Sequence, residues 1–120
     1  MPDRSEYERV IEVNSLKHGQ CHGFKLRSGA IDGFVINWHG QFYAYRNRCP
    51  HTGVNLNWQP DIFLDLQGCY VQCSMHGALF EPNTGLCIRG PCLGALLQPL
   101  TIVQDGSTLY VDTESLRDQD

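Results

Sequence analysis

Two short segments constrain this sequence more than anything else in it: Cys49-Pro50-His51 and Cys73-Ser74-Met75-His76. Each sets a thiol and an imidazole two or three positions apart, and 21 residues separate His51 from Cys73. A glycine follows each histidine within two positions, Gly53 after His51 and Gly77 after His76. Glycine lets backbone pass close to a bulky inorganic group and turn amide N–H groups towards it. Thiol and imidazole donors repeated in two loops point to a metal site.

Composition narrows the setting. The chain has 120 residues, room for one domain and a modest core. Residues 1–113 are expected to form that domain, with 114–120 as a polar tail. Six cysteines would suggest a disulfide framework in a secreted protein. The N-terminus, Met1-Pro2-Asp3-Arg4-Ser5-Glu6, has no apolar export core and no twin arginine, so a cytoplasmic location is expected and metal binding better explains some of the cysteines. No apolar run approaches the roughly 20 residues needed to span a bilayer, so no membrane role is expected. Nine basic against thirteen acidic residues give a net charge of −4. No basic cluster is present to neutralise a row of phosphates, which argues against nucleic-acid binding.

The chain reads as many short strands broken by Gly, Pro and Asn turns. Tyr7–Val13 reads as an opening strand, followed by a polar loop over Asn14–Gly19. Gly33–Trp38 and Gln41–Arg46 read as a hairpin turning at His39-Gly40. Cys69–Cys73 and Ala78–Phe80 read as short strands flanking the second motif. Pro82-Asn83-Thr84-Gly85 is a turn leading to a strand at Leu86-Cys87-Ile88. Leu100–Val103 and Thr108–Val111 pair across Asp105-Gly106. No segment keeps a helical period, although Asn57–Leu66 could hold one helical turn. An antiparallel all-β sandwich or small barrel is predicted, with the two motif loops at one end.

The paired motifs resemble the two cluster-binding loops of the Rieske family. Gly90-Pro91 is similar to the family's proline-containing third loop, which shields the cluster. The resemblance runs from about Tyr7 to Val111. It implies one [2Fe–2S] cluster, with Cys49 and Cys73 binding one iron as thiolates and His51 and His76 binding the other through imidazole nitrogen. Neutral imidazoles in place of two thiolates make reduction easier. Rieske centres therefore span about −150 to +300 mV, against about −400 mV for plant-type clusters held by cysteine alone. High-potential members carry an extra cysteine in each loop, and those two form a disulfide. Here the matching positions are Val54 and Met75. Such members also place a Ser and a Tyr after the second histidine, where this chain has Ala78 and Phe80. A potential in the lower part of the family range is expected. It should fall with rising pH once solvent-facing imidazoles lose protons. The spacing between the loops exceeds that of most Rieske ferredoxins, the extra length lying around Trp58–Leu66.

The resemblance implies a one-electron carrier rather than a catalyst: a ferredoxin passing electrons from a ferredoxin reductase to a terminal oxygenase or another redox enzyme. The small subunit of an assimilatory nitrite reductase fits the same loops. A rival of another class is a structural zinc or redox-sensing module, since two Cys and two His also suit tetrahedral zinc. Zinc fingers usually pair their cysteines in one knuckle, unlike the mixed knuckles here. Asp61 and Asp65 raise a mononuclear carboxylate site, but its two histidines would already be committed to the cluster.

Each remaining candidate has a plainer reading. Cys69 reads as a small buried residue sharing a strand face with Cys73. Cys87 and Cys92 flank Gly90-Pro91 and could approach one another, although a cytosolic setting disfavours a stable disulfide. Cys21 reads as a core or loop thiol. His18, His22 and His39 read as solvated loop histidines. Trp38, Phe42, Tyr43 and Tyr45 read as core residues of the hairpin. Pro50, Leu56, Met75 and Leu79 suit an apolar collar around the site and core filling equally well.

Overall fold

Aromatic and β-branched runs punctuated by turn residues form ten strands among the described residues, and no α-helix. The computed structural model describes residues 7–26, 29–50, 53, 55–57, 61–65, 67–73 and 77–113. The strands are β1 (Tyr7–Glu12), β2 (Cys21–Leu26), β3 (Ile31–Trp38), β4 (Gln41–Arg46), β5 (Val71–Gln72), β6 (Leu79–Phe80), β7 (Cys87–Arg89), β8 (Pro99–Leu100), β9 (Ile102–Asp105) and β10 (Thr108–Asp112). They make three antiparallel sheets, ordered β1-β10-β9, β2-β3-β4-β8 and β5-β6-β7. The predicted all-β class is thus observed.

Strand β3 explains how the sheets stack. Successive side chains of a strand point to opposite faces. Phe34 and its cross-strand partner Tyr45 enter one buried cluster, whereas Val35 and its partner Ala44 enter another. Phe34 and Val35 are both fully buried, so the middle sheet has no wet face at that point. Side chains of this size contribute about 1.5–3 kcal/mol each on full burial. The Val35 face packs with Val10, Leu100, Leu109 and Val111, which brings in the β1-β10-β9 sheet. The Phe34 face packs with Leu56, Phe63, Val71, Phe80 and four cysteines. Phe34 stacks on Phe63, their ring centroids 4.2 Å apart.

Several sequence expectations need correction. The opening strand ends at Glu12, because Val13–Ser15 winds into a 3-10 turn. The segment Cys21–Leu26 is a strand, held by six cross-strand pairs to β3 rather than by a pattern of its own. His22 therefore lies on a strand and not in a loop. The described residues of Asn57–Leu66 hold no helical turn, and Leu64 instead bridges to Val71. Cys69 is exposed and lies outside the strand that starts at Val71. The cause is local: the Asp65 carboxylate accepts the N–H groups of Cys69 and Tyr70, which fixes a turn where a strand was expected. The first hairpin forms with β3 beginning two residues early at Ile31, and the second forms with its first strand shifted to Ile102–Asp105, because Leu100 belongs to β8 and pairs with Ala44 of β4. Of the aromatic residues assigned to the core, Tyr45 is buried while Trp38, Phe42 and Tyr43 are half-buried.

Candidate metal centre

Cys49 follows the end of β4 and Cys73 follows the end of β5, so each thiol sits where a strand gives way to a loop. Both side chains are fully buried, neither is in a disulfide, and both belong to the same buried cluster. The two loops close in the same way. The Gly53 N–H donates to the Cys49 carbonyl at 2.7 Å, and the Gly77 N–H donates to the Cys73 carbonyl at 2.8 Å. Both glycines adopt left-handed backbone, with φ of 79° and 70°, a conformation that side-chain-bearing residues rarely adopt. In each motif the glycine thus falls four residues after the cysteine and folds the chain back over it. His51 and His76, with Val54 and Met75, lie outside the described residues.

Further bonds fix the loop bases. Asn47 is buried two residues before Cys49. Its side chain accepts the Leu56 N–H and donates to the Asn57 side chain, each at 2.7 Å, so one amide pins both ends of the first loop. The Cys73 N–H donates to the Ala78 carbonyl at 2.9 Å, which shuts the second loop. The third loop lies directly on the second. A Cβ at Gly90 would fall 2.8 Å from the Ala78 Cα, closer than any side chain tolerates. Tyr45 braces the turn beyond, its hydroxyl donating to the Pro82 carbonyl at 2.9 Å, and burial raises its pKa. Leu56 is fully buried beside the two cysteines, Leu79 is half-buried and Pro50 is exposed. Pro50 therefore adds nothing to the buried lining.

The donor set fits an iron–sulfur group as far as it is described. Such clusters are held by cysteine thiolates, and here two buried thiols stand at the mouths of matched loops. Among the described residues, no three of His, Cys, Asp and Glu converge as a metal-binding group. The acidic candidates are engaged elsewhere. Asp61 accepts the Gly23 N–H at 2.6 Å and lies 3.8 Å from the His22 imidazole, and Asp65 caps its turn. His18 is not simply solvated, since its Nδ1 accepts the His39 N–H at 2.8 Å and its ring lies tilted against those of Trp38 and His39. Burial, reinforced by Asp61, pushes the Cys21 thiol up to about 12. Asn47 was not singled out from the sequence, although a lone amide directly after an aromatic strand is the signal that marks it.

Comparison with known proteins agrees with this geometry. Over 76 residues the chain is 32% identical to apoptosis-inducing factor 3 of Mus musculus and of Homo sapiens, a match covering 63% of this chain and 11% of theirs. The matched segment thus spans about a tenth of those relatives. The ferredoxin component of the p-cumate 2,3-dioxygenase system of Pseudomonas putida is 28% identical over 112 residues, 92% of this chain and 88% of that one. The ferredoxin of carbazole 1,9a-dioxygenase from Nocardioides aromaticivorans IC177 shares the fold, with a TM-score of 0.69 at 23% identity over 88% of this chain and 95% of that one. The model of the Rieske [2Fe-2S] domain matches residues 6–105, and the chain belongs to that family, whose cofactor is a [2Fe–2S] cluster.

Proposed function

We propose that this protein is a one-electron carrier, a ferredoxin that takes electrons from a reductase and delivers them to a terminal oxygenase or another redox enzyme. The observation that carries the reading is the matched closure of two loops on buried cysteines, Gly53 onto Cys49 and Gly77 onto Cys73. Cys49 and Cys73 would hold one iron, and His51 and His76 the other. When bound, the cluster supplies a single reversible electron. The chain's own contribution is positional. Asn47 holds the first loop, the Ala78 carbonyl holds the second, and Gly90 lets the third loop lie against them. Likeness to a dioxygenase ferredoxin component favours a reductase and an oxygenase as partners.

No helix among the described residues is long and apolar enough to cross a membrane. We take the carrier as cytoplasmic and as one domain over residues 1–113, with 114–120 as a tail.

Purified protein tests the reading. It should be brown-red, give a rhombic electron-resonance signal on reduction, and pass electrons from a flavin reductase to an oxygenase. His51→Ser and His76→Ser should each abolish that signal. A colourless protein with one zinc per chain would reject the carrier role. Co-purification with a sirohaem protein instead of a flavin reductase would favour the nitrite reductase subunit.

A further inference from the structure

We propose that Cys87 and Cys92 form an oxidation site, a dithiol that a peroxide converts into an intrachain disulfide stapling the third loop over the cluster loops. The pair itself stands on its own geometry, while the stapling role rests on the carrier reading above.

The two sulfurs already face each other. Cys92 Sγ lies 3.3 Å from Cys87 Sγ. A disulfide needs about 2.0 Å, so each sulfur has under one ångström to travel, within reach of a small side-chain rotation. The backbone holds them in register. The Cys87 N–H donates to the Ala95 carbonyl at 2.8 Å, the Gly94 N–H donates to the Cys87 carbonyl at 3.0 Å, and the Ala95 N–H donates to the Cys92 carbonyl at 2.8 Å. Cys87 is thus tied to Gly94 and Ala95, and Cys92 to Ala95, so one residue bonds to both cysteines. Cys87 Sγ also contacts the Arg89 carbonyl at 3.3 Å.

Exposure orders the reaction. Cys92 is 9% exposed and Cys87 is 1% exposed, so a small oxidant meets Cys92 first. With hydrogen peroxide as oxidant, Cys92 sulfur attacks one peroxide oxygen and the O–O bond breaks. This leaves a sulfenic acid and, with the thiol proton, one water. Cys87 sulfur then attacks Cys92 sulfur and the S–O bond breaks. The departing hydroxide takes the Cys87 proton as a second water. Two thiols and one peroxide give one disulfide and two waters. Burial limits the rate and not the product.

The location gives the bridge a consequence. Cys87 and Cys92 share a buried cluster with Cys49, Cys73 and Ala78, and Gly90, between them in the chain, packs on Ala78. A bond spanning Gly90-Pro91 ties down the loop that covers the site. Cys69 is exposed, with its sulfur directed at the Gln67 carbonyl, and serves as an internal control for a thiol without this pairing.

The full-length, iron-loaded protein is exposed to hydrogen peroxide, denatured in an alkylating reagent, cut with trypsin and weighed by mass spectrometry. Trypsin cleaves after Arg89, which separates the two cysteines onto different peptides unless a disulfide joins them, and fragmentation of the joined pair shows which of Cys49, Cys69, Cys73 and Cys87, all in peptide 49–89, carries the link. The expected product is the joined pair, lighter by two hydrogens than its parts and split by dithiothreitol. Cys87→Ser should abolish it. Alkylated Cys87 and Cys92 at the untreated level, or linkage of either to Cys49 or Cys73 instead, would overturn the site. Iron release to a chelator should be slower from the bridged form than from the dithiol, and equal rates would overturn the stapling role. Iron content and visible spectrum before treatment show separately whether the carrier reading fails, because the joined peptides are scored without reference to the cluster.

Discussion

Asn47 shows how much one buried side chain can organise. It accepts the N–H of the fully buried Leu56 and donates to Asn57, closing the base of the loop that begins at Cys49. Asn47→Ala leaves the Leu56 N–H without that partner and out of reach of water. The expected loss is about 1–3 kcal/mol in denaturant unfolding, with faster release of iron to a chelator. Asn47→Asp keeps the acceptor and should recover part of both effects. Ala78 and Phe80 bear on potential instead of stability. Both are fully buried and neither carries a side-chain donor. With the cluster held by Cys49 and Cys73 as proposed, a hydroxyl placed within hydrogen-bond reach of it would favour the reduced, more negative state. Ala78→Ser and Phe80→Tyr should therefore each raise the midpoint, starting from a wild-type value in the lower part of the family range. A redox titration checks this, and a wild-type midpoint near the top of that range would contradict it.

At the scale of elements, the join between β1 and β10 responds to pH. Glu12, the last residue of β1, accepts hydrogen bonds from the hydroxyls of Ser107, in the turn before β10, and of Thr108, the first residue of β10. These bonds, Thr108 first, hold its carboxyl below the ordinary value of 4.5. A carboxylate with a depressed pKa adds stability that is complete above its unfolded value and disappears as pH falls through the folded one. Acid titration of the unfolding midpoint should thus be flatter in Glu12→Gln than in wild type, and parallel curves would show that this contact does not couple to folding. The same scale shows what was legible in the sequence. The β3–β4 and β9–β10 hairpins carry both alternation and a glycine turn, at His39-Gly40 and at Gly106-Ser107, one residue past the expected Asp105-Gly106, so local chemistry specified their pairing. Strand β2 was missed because CHGFKL has no clean alternation. Its extended form comes from pairing with β3, whose partner residues lie up to 15 positions away in the chain, from Leu26 with Ile31 to Cys21 with Ile36. Cys69 was placed in a strand on a pattern that the Asp65 carboxylate overrides. The site was legible to the extent that its signal was a short motif. Asn47 and the Cys87–Cys92 approach depend on tertiary packing and were respectively unseen and only anticipated.

The whole molecule divides into parts of unequal independence. The β2-β3-β4-β8 and β1-β10-β9 sheets share the Val35-side core and contain strands of four to eight residues, apart from the two-residue β8. The β5-β6-β7 sheet has strands of two, two and three residues, too short to stand on ladder hydrogen bonds alone. Its packing is built around the thiols themselves, with Cys49 and Cys73 buried among Leu56, Val71, Ala78 and Phe80. A bound group that grips both loops contributes its binding free energy to this part of the fold. Removing iron should therefore loosen one part selectively and leave the rest folded. Amide hydrogen exchange is the direct measurement, because it reads opening segment by segment. In the iron-free protein, protection should fall at Val71, Cys73, Phe80 and Cys87, whose N–H groups lie in or beside the short strands. It should persist at Val35, Ile36, Leu109 and Val111 in the longer strands. Uniform loss across all three sheets would mean that the two cores unfold as a single unit. Unchanged protection throughout would mean that the loops are held by Asn47, Tyr45 and Gly90 without help from the metal.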